Sequence, residues 1–203
     1  KALIRAAKEG AGSLPVSVKT RLGYNKVEIE TWIPALLEEG IAALAIHART
    51  RKEMSKVPAR WEHVARAVEI RNEMKVDTLI IGNGDVKDMN DARAKAAETK
   101  CDGVMLGRAI FGNPFLFSNS RELENRENRE VVRSDARSQG QSLGKSEAME
   151  KGLSSAEISE RLRVMVEHTK LFEEMLSGVK SFAIMKKHFK AYAEGFPGAK
   201  DLR

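Results

Sequence analysis

Cysteine is nearly absent from this chain: Cys101 is the single one among 203 residues. No internal disulfide can form, and no Cys-x-x-Cys or Cys/His cluster offers a zinc site. His63, His168 and His188 show no ligand spacing, so no metal is expected. A reducing, cytoplasmic compartment is the expectation. No apolar run of about 18 residues is present, which leaves neither a membrane span nor a membrane partner to expect. Aromatic residues make up only 5%, so stacking surfaces are few. An initiator methionine and a signal pattern are also lacking. The first residues, KALIRAAKEG, read as the middle of a helix, and further N-terminal sequence is expected ahead of Lys1.

What is present suits a globular protein of one medium domain or slightly more: 42% hydrophobic residues, 32% charged and a net charge of +6. The basic balance hints at a polyanionic partner without naming one.

Four segments repeat one rhythm, a short apolar or β-branched run, a polar loop and a helical pattern. The runs are Pro15–Gly23, Ile41–Thr50, Asp77–Asp85 and Asp102 onward. Helical patterns follow the first three, over Lys26–Glu39, Trp61–Met74 and Met89–Lys100. Such alternation predicts βαβ units and a parallel sheet. Ligands in these folds sit at the carboxyl ends of the strands. The unusual residues fall there: Lys19 and Arg21, His47 and Arg49, Asn83 to Asp85, Gly107 and Arg108. Read with four strands ahead of it, the set is an α/β fold, the C-terminal half of a (β/α)8 TIM barrel spanning residues 1–117.

From Ser118 the composition changes. Residues 118–153 are dense in Arg, Glu, Ser and Asn and hold no aromatic residue, so they read as a charged linker or insertion. Residues 154–203 are helical in pattern and form a small all-helical domain, with Ser155 read as opening it. From Arg161 to Arg203 nine Lys and Arg oppose five Asp and Glu. Lys186, Lys187, His188 and Lys190 are expected on one face, with Phe182, Ile184, Met185, Phe189 and Tyr192 on the other.

Glycine lets backbone N–H groups approach a phosphate, and arginine neutralises it. The loops Gly82–Asp85 and Gly107–Arg108 therefore read as two halves of a phosphate seat, or as plain turns with a solvated arginine. A lysine at Lys19 is costly on a strand end unless it meets an anion or an electron-rich ring. Arg21 points the same way. His47 is a hydrogen-bond donor, an acid–base group or a satisfied core histidine. Cys101, at the opposite strand end, is read as a small buried filler.

These motifs, in this order, resemble the tRNA-dihydrouridine synthase family. PVSVKTRLGY looks like its strand with the flavin lysine, and LAIHARTR like its histidine strand, with Ala48 where glycine is usual. IIGNGDV and DGVMLGRAIFGNPFLF look like its two phosphate loops. MKKHFKAYAEGFPGAKDLR is similar to the end of its helical tRNA-binding domain. The resemblance implies an FMN enzyme, reduced by NADPH, that converts uridine in tRNA to 5,6-dihydrouridine, acting as a monomer. Carried over, Lys19, Arg21, His47, Asn83, Gly84, Asp85, Gly107 and Arg108 would hold the flavin. Arg49, Lys186, Lys187 and His188 would meet tRNA. No catalytic residue is assigned, because the family's proton-donating cysteine belongs to strands ahead of Lys1. These residues alone are expected to be inactive. The loop EMSKVPARW lacks the family's usual tyrosine and glycine. Two other readings stand beside this one: another FMN or sugar-phosphate barrel oxidoreductase, or a non-catalytic RNA-binding protein.

Overall fold

The computed structural model describes residues 1–117 and 154–202. They fall into two compact units, Lys1–Arg108 and Ala109–Arg203. Ala109–Phe117 thus groups with the helical residues rather than with the sheet. The expected linker, residues 118–153, lies outside the described residues.

The first unit is a four-stranded parallel sheet in the order β1 (Ser17–Arg21), β2 (Ala43–His47), β3 (Leu79–Asn83), β4 (Gly103–Met105). Helix α1 (Ala2–Ala11) precedes it. Helices α2 (Ile29–Leu37), α3 (Glu62–Met74) and α4 (Met89–Thr99) connect successive strands. Strand residues alternate between two faces. On one face Leu44, Ile46 and Ile80 are fully buried. They join Ile33, Leu36 and Leu37 of α2 and Val64, Ala67 and Val68 of α3 in one apolar cluster. The other face carries Lys19, Arg21, His47 and Asn83.

Helix α2 starts three residues later than the pattern over Lys26–Glu39 suggests. The reason is a closed loop: Glu28 N–H bonds Leu22 O at 2.8 Å. Gly23 allows that closure with φ of 148°, and a Cβ there would come within 2.1 Å of Lys26 O. At the other end, Lys8 Nζ donates to Glu39 O at 2.7 Å and Gly40 O at 3.1 Å. Arg5 grips the Glu39 carboxylate through Nε and Nη2 at 2.7 and 2.8 Å. A cation thus meets carbonyls that a helix end leaves unpaired. Cys101 is buried, with Sγ 3.1 Å from Gly103 O.

In the second unit, α5 (Ser155–Leu176) is capped by Ser154, not Ser155. Ser154 Oγ accepts from Glu157 N–H at 3.3 Å, and Glu157 Oε2 accepts from Ser154 N–H at 2.8 Å. That reciprocal box needs a spacing of three, which only Ser154 has. Helix α6 (Met185–Tyr192) buries Met185 and Tyr192. Phe182 and Ile184 were expected on the same apolar side. They lie in a 3-10 turn, Phe182–Ile184, and are 51% and 40% exposed, while the Phe182 ring packs 6.0 Å from Phe172 and 6.1 Å from Phe189. Among the described residues no helix is long and apolar enough to cross a membrane.

Trp61 lies against β3. A Cβ on Gly82 would come within 2.2 Å of its ring, and its Nε1 donates to Gly84 O at 2.9 Å. Gly82→Ala is therefore expected to destabilise the protein by roughly 1–3 kcal/mol in urea unfolding. In a Trp61→Leu background the same change should cost much less, a coupling that a double-mutant cycle reads directly.

Candidate functional site

The strand register places Arg21 opposite His47, His47 opposite Asn83, and Asn83 opposite Met105. Three polar side chains therefore stand in one row at the carboxyl ends of the sheet. Lys19, two residues back on β1, faces the same way and donates from Nζ to Asn83 Oδ1 at 3.0 Å. Asn83 Nδ2 donates in turn to Met105 O at 2.7 Å. Desolvation, and then the charge of Arg21, lower the pKa of Lys19. Arg21 Nη1 donates to Thr50 O at 3.1 Å and Met54 O at 3.3 Å.

Beyond β3 the chain turns sharply. Gly84 has φ of 128° and Asp85 of 52°. A Cβ on Gly84 would lie 2.8 Å from Ala59 Cβ and 3.2 Å from His47 Cδ2. The turn aims the Asp85 carboxylate back over the sheet. It accepts from Ala59 N–H at 2.9 Å, from Arg108 Nη2 at 2.9 Å and from Arg49 Nη2. The Arg49 hydrogen bond is the leading cause that holds the Asp85 pKa below its ordinary value. The two glycine-bearing loops are therefore at the same end of the sheet, tied by one ion pair.

Arg49 also donates to Val57 O at 2.5 Å, and its Nη1 lies 3.2 Å from His47 Nε2. A guanidinium only donates, so His47 Nε2 accepts and the ring proton sits on Nδ1. Burial, followed by the charges of Arg21, Lys19 and Arg49, pushes the His47 pKa down to about 4. His47 is a neutral donor near pH 7, not an imidazolium.

The expected site residues differ in exposure and in what they bond. Arg49, expected to face RNA, is only 3% exposed and is committed to Asp85. Asn83 and Asp85, expected at the phosphate, accept hydrogen bonds from Lys19 and from Arg49 and Arg108. Gly84 serves the turn. Gly107 is open, with nothing within 4 Å of a Cβ built on it. The Arg108 side chain is 69% exposed. In the second unit Lys186, Lys187 and Lys190 are exposed, but His188 is half-buried. Its ring meets His168 at 5.0 Å and Phe111 at 5.3 Å, both edge-on. Sequence reasoning missed Ala59 and Trp61 as supports of the rim. The signal was faint, a tryptophan opening a helix just after Pro58.

The profile of the family described as Dihydrouridine synthase (Dus) matches residues 1–203, the whole chain. The chain belongs to the dihydrouridine synthase family. Curated relatives agree. "Probable tRNA-dihydrouridine synthase 2" of Bacillus subtilis (strain 168) is 39% identical over 203 residues, 99% of this chain and 52% of that protein. "Probable tRNA-dihydrouridine synthase" of Staphylococcus aureus (strain N315) is 38% identical over the same shares. Its namesake in Staphylococcus epidermidis (strain ATCC 12228 / FDA PCI 1200) is also 38% identical. The chain spans about half the length of these dihydrouridine synthases, with 52% of each covered.

Two outcomes follow from the rim of this family member. Arg49→Met leaves the Asp85 carboxylate without its buried partner and is expected to cost roughly 2–3 kcal/mol in chemical denaturation. Arg49→Lys should recover only part, because an ammonium cannot span Val57 O, His47 and Asp85 together. For His47, the unfolded chain binds a proton near its ordinary 6.5 and the folded chain only near 4. The His47 contribution to stability is thus full above 6.5 and is lost as pH falls toward 4. His47→Asn should remove that component from the stability–pH curve. The part due to Asp85, which lies below its ordinary pKa of 3.8, should persist.

Proposed function

We propose that the protein containing this chain reduces uridine in tRNA to 5,6-dihydrouridine, using FMN and NADPH. In this reading the sheet unit is the C-terminal half of a TIM barrel, and α5 and α6 belong to a tRNA-binding domain. The observation that carries the proposal is the Asp85–Arg108 ion pair, which draws the Gly84 and Gly107 loops together beside the Lys19–Asn83 pair. The family membership narrows the chemistry that this rim serves.

The residues fit a flavin phosphate on two counts. Gly107 leaves its surroundings open to the backbone, and Arg108 spends only Nη2 on Asp85. Among the described residues its other N–H groups have no acceptor, which suits the charge-assisted contacts that arginine makes to phosphate. FMN held by these residues and reduced by NADPH would supply the hydride for uracil C6. Lys19 Nζ, steered by Asn83, offers a fixed positive charge to an electron-rich ring. His47 offers Nδ1–H as a hydrogen-bond donor and, being neutral, adds no second charge. Proton delivery to uracil C5 needs another group. Cys101 is buried and bonded to Gly103 O at the opposite end of β4; in this reading the acid is the cysteine that the family resemblance implies outside these residues. Lys186, Lys187 and Lys190 meet the tRNA backbone in this reading.

The test uses the full-length protein. It should purify with bound flavin and raise the dihydrouridine content of unmodified tRNA when NADPH is supplied, as read by mass spectrometry. Arg108→Ala should weaken flavin retention about tenfold or more, the scale of one charged hydrogen bond. Lys186→Ala with Lys190→Ala should flatten the salt dependence of tRNA binding by about one to two in log–log slope. A colourless full-length protein would end this reading.

A further inference from the structure

Beside the Lys19–Arg21 row, and opening from it, lies a groove of about 550 Å³. Its lining includes Lys19, Arg21, Tyr24, Glu28, Trp32 and Arg51. The two loops that form it are zipped together beyond the sheet. Leu22 N–H bonds Arg49 O at 3.1 Å, Arg51 N–H bonds Gly23 O at 2.9 Å, and Lys52 N–H bonds Tyr24 O at 2.9 Å. Tyr24 and Arg51 are thereby held side by side on a stiff ribbon. The Tyr24 ring is 67% exposed in a chain poor in aromatics. Trp32 is 40% exposed, and its Nε1 is anchored on Thr20 Oγ1 at 2.8 Å. Among the described residues nothing accepts from the Arg51 guanidinium, and Glu28 is the only acid in this lining against three cations.

An exposed aromatic ring beside an unpaired arginine is what single-stranded nucleic acid uses: a base stacks and a phosphate pairs. We propose that Tyr24 and Arg51 seat one unpaired nucleotide of the RNA substrate, next to the one presented to the Lys19–Arg21–His47 row. This rests on the tRNA-reducing reading above. Continuity with that row favours RNA, since a strand delivering one nucleotide there lays its neighbour across the adjoining rim. A dinucleotide reductant fits less well. A pyrophosphate calls for a cradle of converging backbone N–H groups, whereas on the Arg51 side of the groove the N–H groups of Arg51 and Lys52 are bonded to Gly23 O and Tyr24 O.

The experiment measures binding of an unmodified tRNA transcript to full-length protein, with flavin content and the KM for NADPH followed in parallel. Tyr24→Leu should weaken tRNA binding about tenfold, and Tyr24→Phe, which keeps the ring, by no more than about twofold. Arg51→Gln should lower the log–log salt slope by about 0.7, the share of one phosphate on a single strand. Flavin content and the KM for NADPH should stay at the unaltered values. Unchanged tRNA affinity in Tyr24→Leu overturns the seat. So does a rise in the NADPH KM without a change in tRNA binding, which would make the groove a dinucleotide site. Equal losses in Tyr24→Leu and Tyr24→Phe overturn it as well. If the unaltered protein binds neither flavin nor tRNA, the functional reading itself fails. If it binds both but is insensitive to Tyr24 and Arg51, only the seat fails.

Discussion

The carboxylate of Asp85 accepts hydrogen bonds from three parts of the chain: the Ala59 amide, the buried guanidinium of Arg49 and the exposed one of Arg108. Each bond ties the loop after β3 to a different neighbour. Ala59 precedes α3, Arg49 follows β2, and Arg108 follows β4. One anion among several cations is an economical way to hold loops that would otherwise repel one another. It also requires the left-handed turn at Gly84 and Asp85, since an extended backbone would carry the carboxylate away from the sheet.

The rim arginines divide into two kinds by burial. Arg49 is enclosed, and its planar fork reaches a carboxylate, a carbonyl and an imidazole at once, which a lysine could not do. Its charge then shapes its surroundings, helping to keep His47 neutral and Asp85 ionised. Among the described residues, Arg108 and Arg51 keep donors that no acceptor takes up. They are the ones suited to a ligand, because an exposed cation with free N–H groups can pair with a phosphate at little cost to the fold.

The second unit shows the same division between packing and presentation. Met185 and Tyr192 are buried within it, while Lys186 and Lys190 face out. His188 is half-buried between the two sets, edge-on to His168 and Phe111. Lys187, though exposed, has its Nζ 5.5 Å from the centre of the Phe111 ring. Gly112 allows the segment around Phe111 to approach α6, since a Cβ there would lie 2.2 Å from Ala191 O. A helical wheel drawn over residues 182–192 assumes one uniform helix, whereas the chain makes a 3-10 turn at Phe182–Ile184 before α6. Phe182 keeps apolar contacts there, its ring centroid 6.0 Å from that of Phe172 and 6.1 Å from that of Phe189.

The four strands, three of their helices and the polar rim were legible in the amino-acid order. Short apolar runs, helical periodicity and glycine punctuation are local signals, and each survives translation into structure with shifts of a few residues. The pairing of Lys19 with Asn83, 64 residues apart in sequence, was not legible. Neither was the burial of Arg49, which looked like an exposed loop cation. Nothing local distinguishes Arg49 from Arg51, two positions on. The backbone zip between their loop and residues 22–24 turns one side chain in toward Asp85 and leaves the other at the surface. Sequence alone determined which residues could carry charge, stack or bend the chain. Tertiary structure decided which of them the protein uses up on itself and which it leaves free, because that depends on what folds against each side chain from far along the chain.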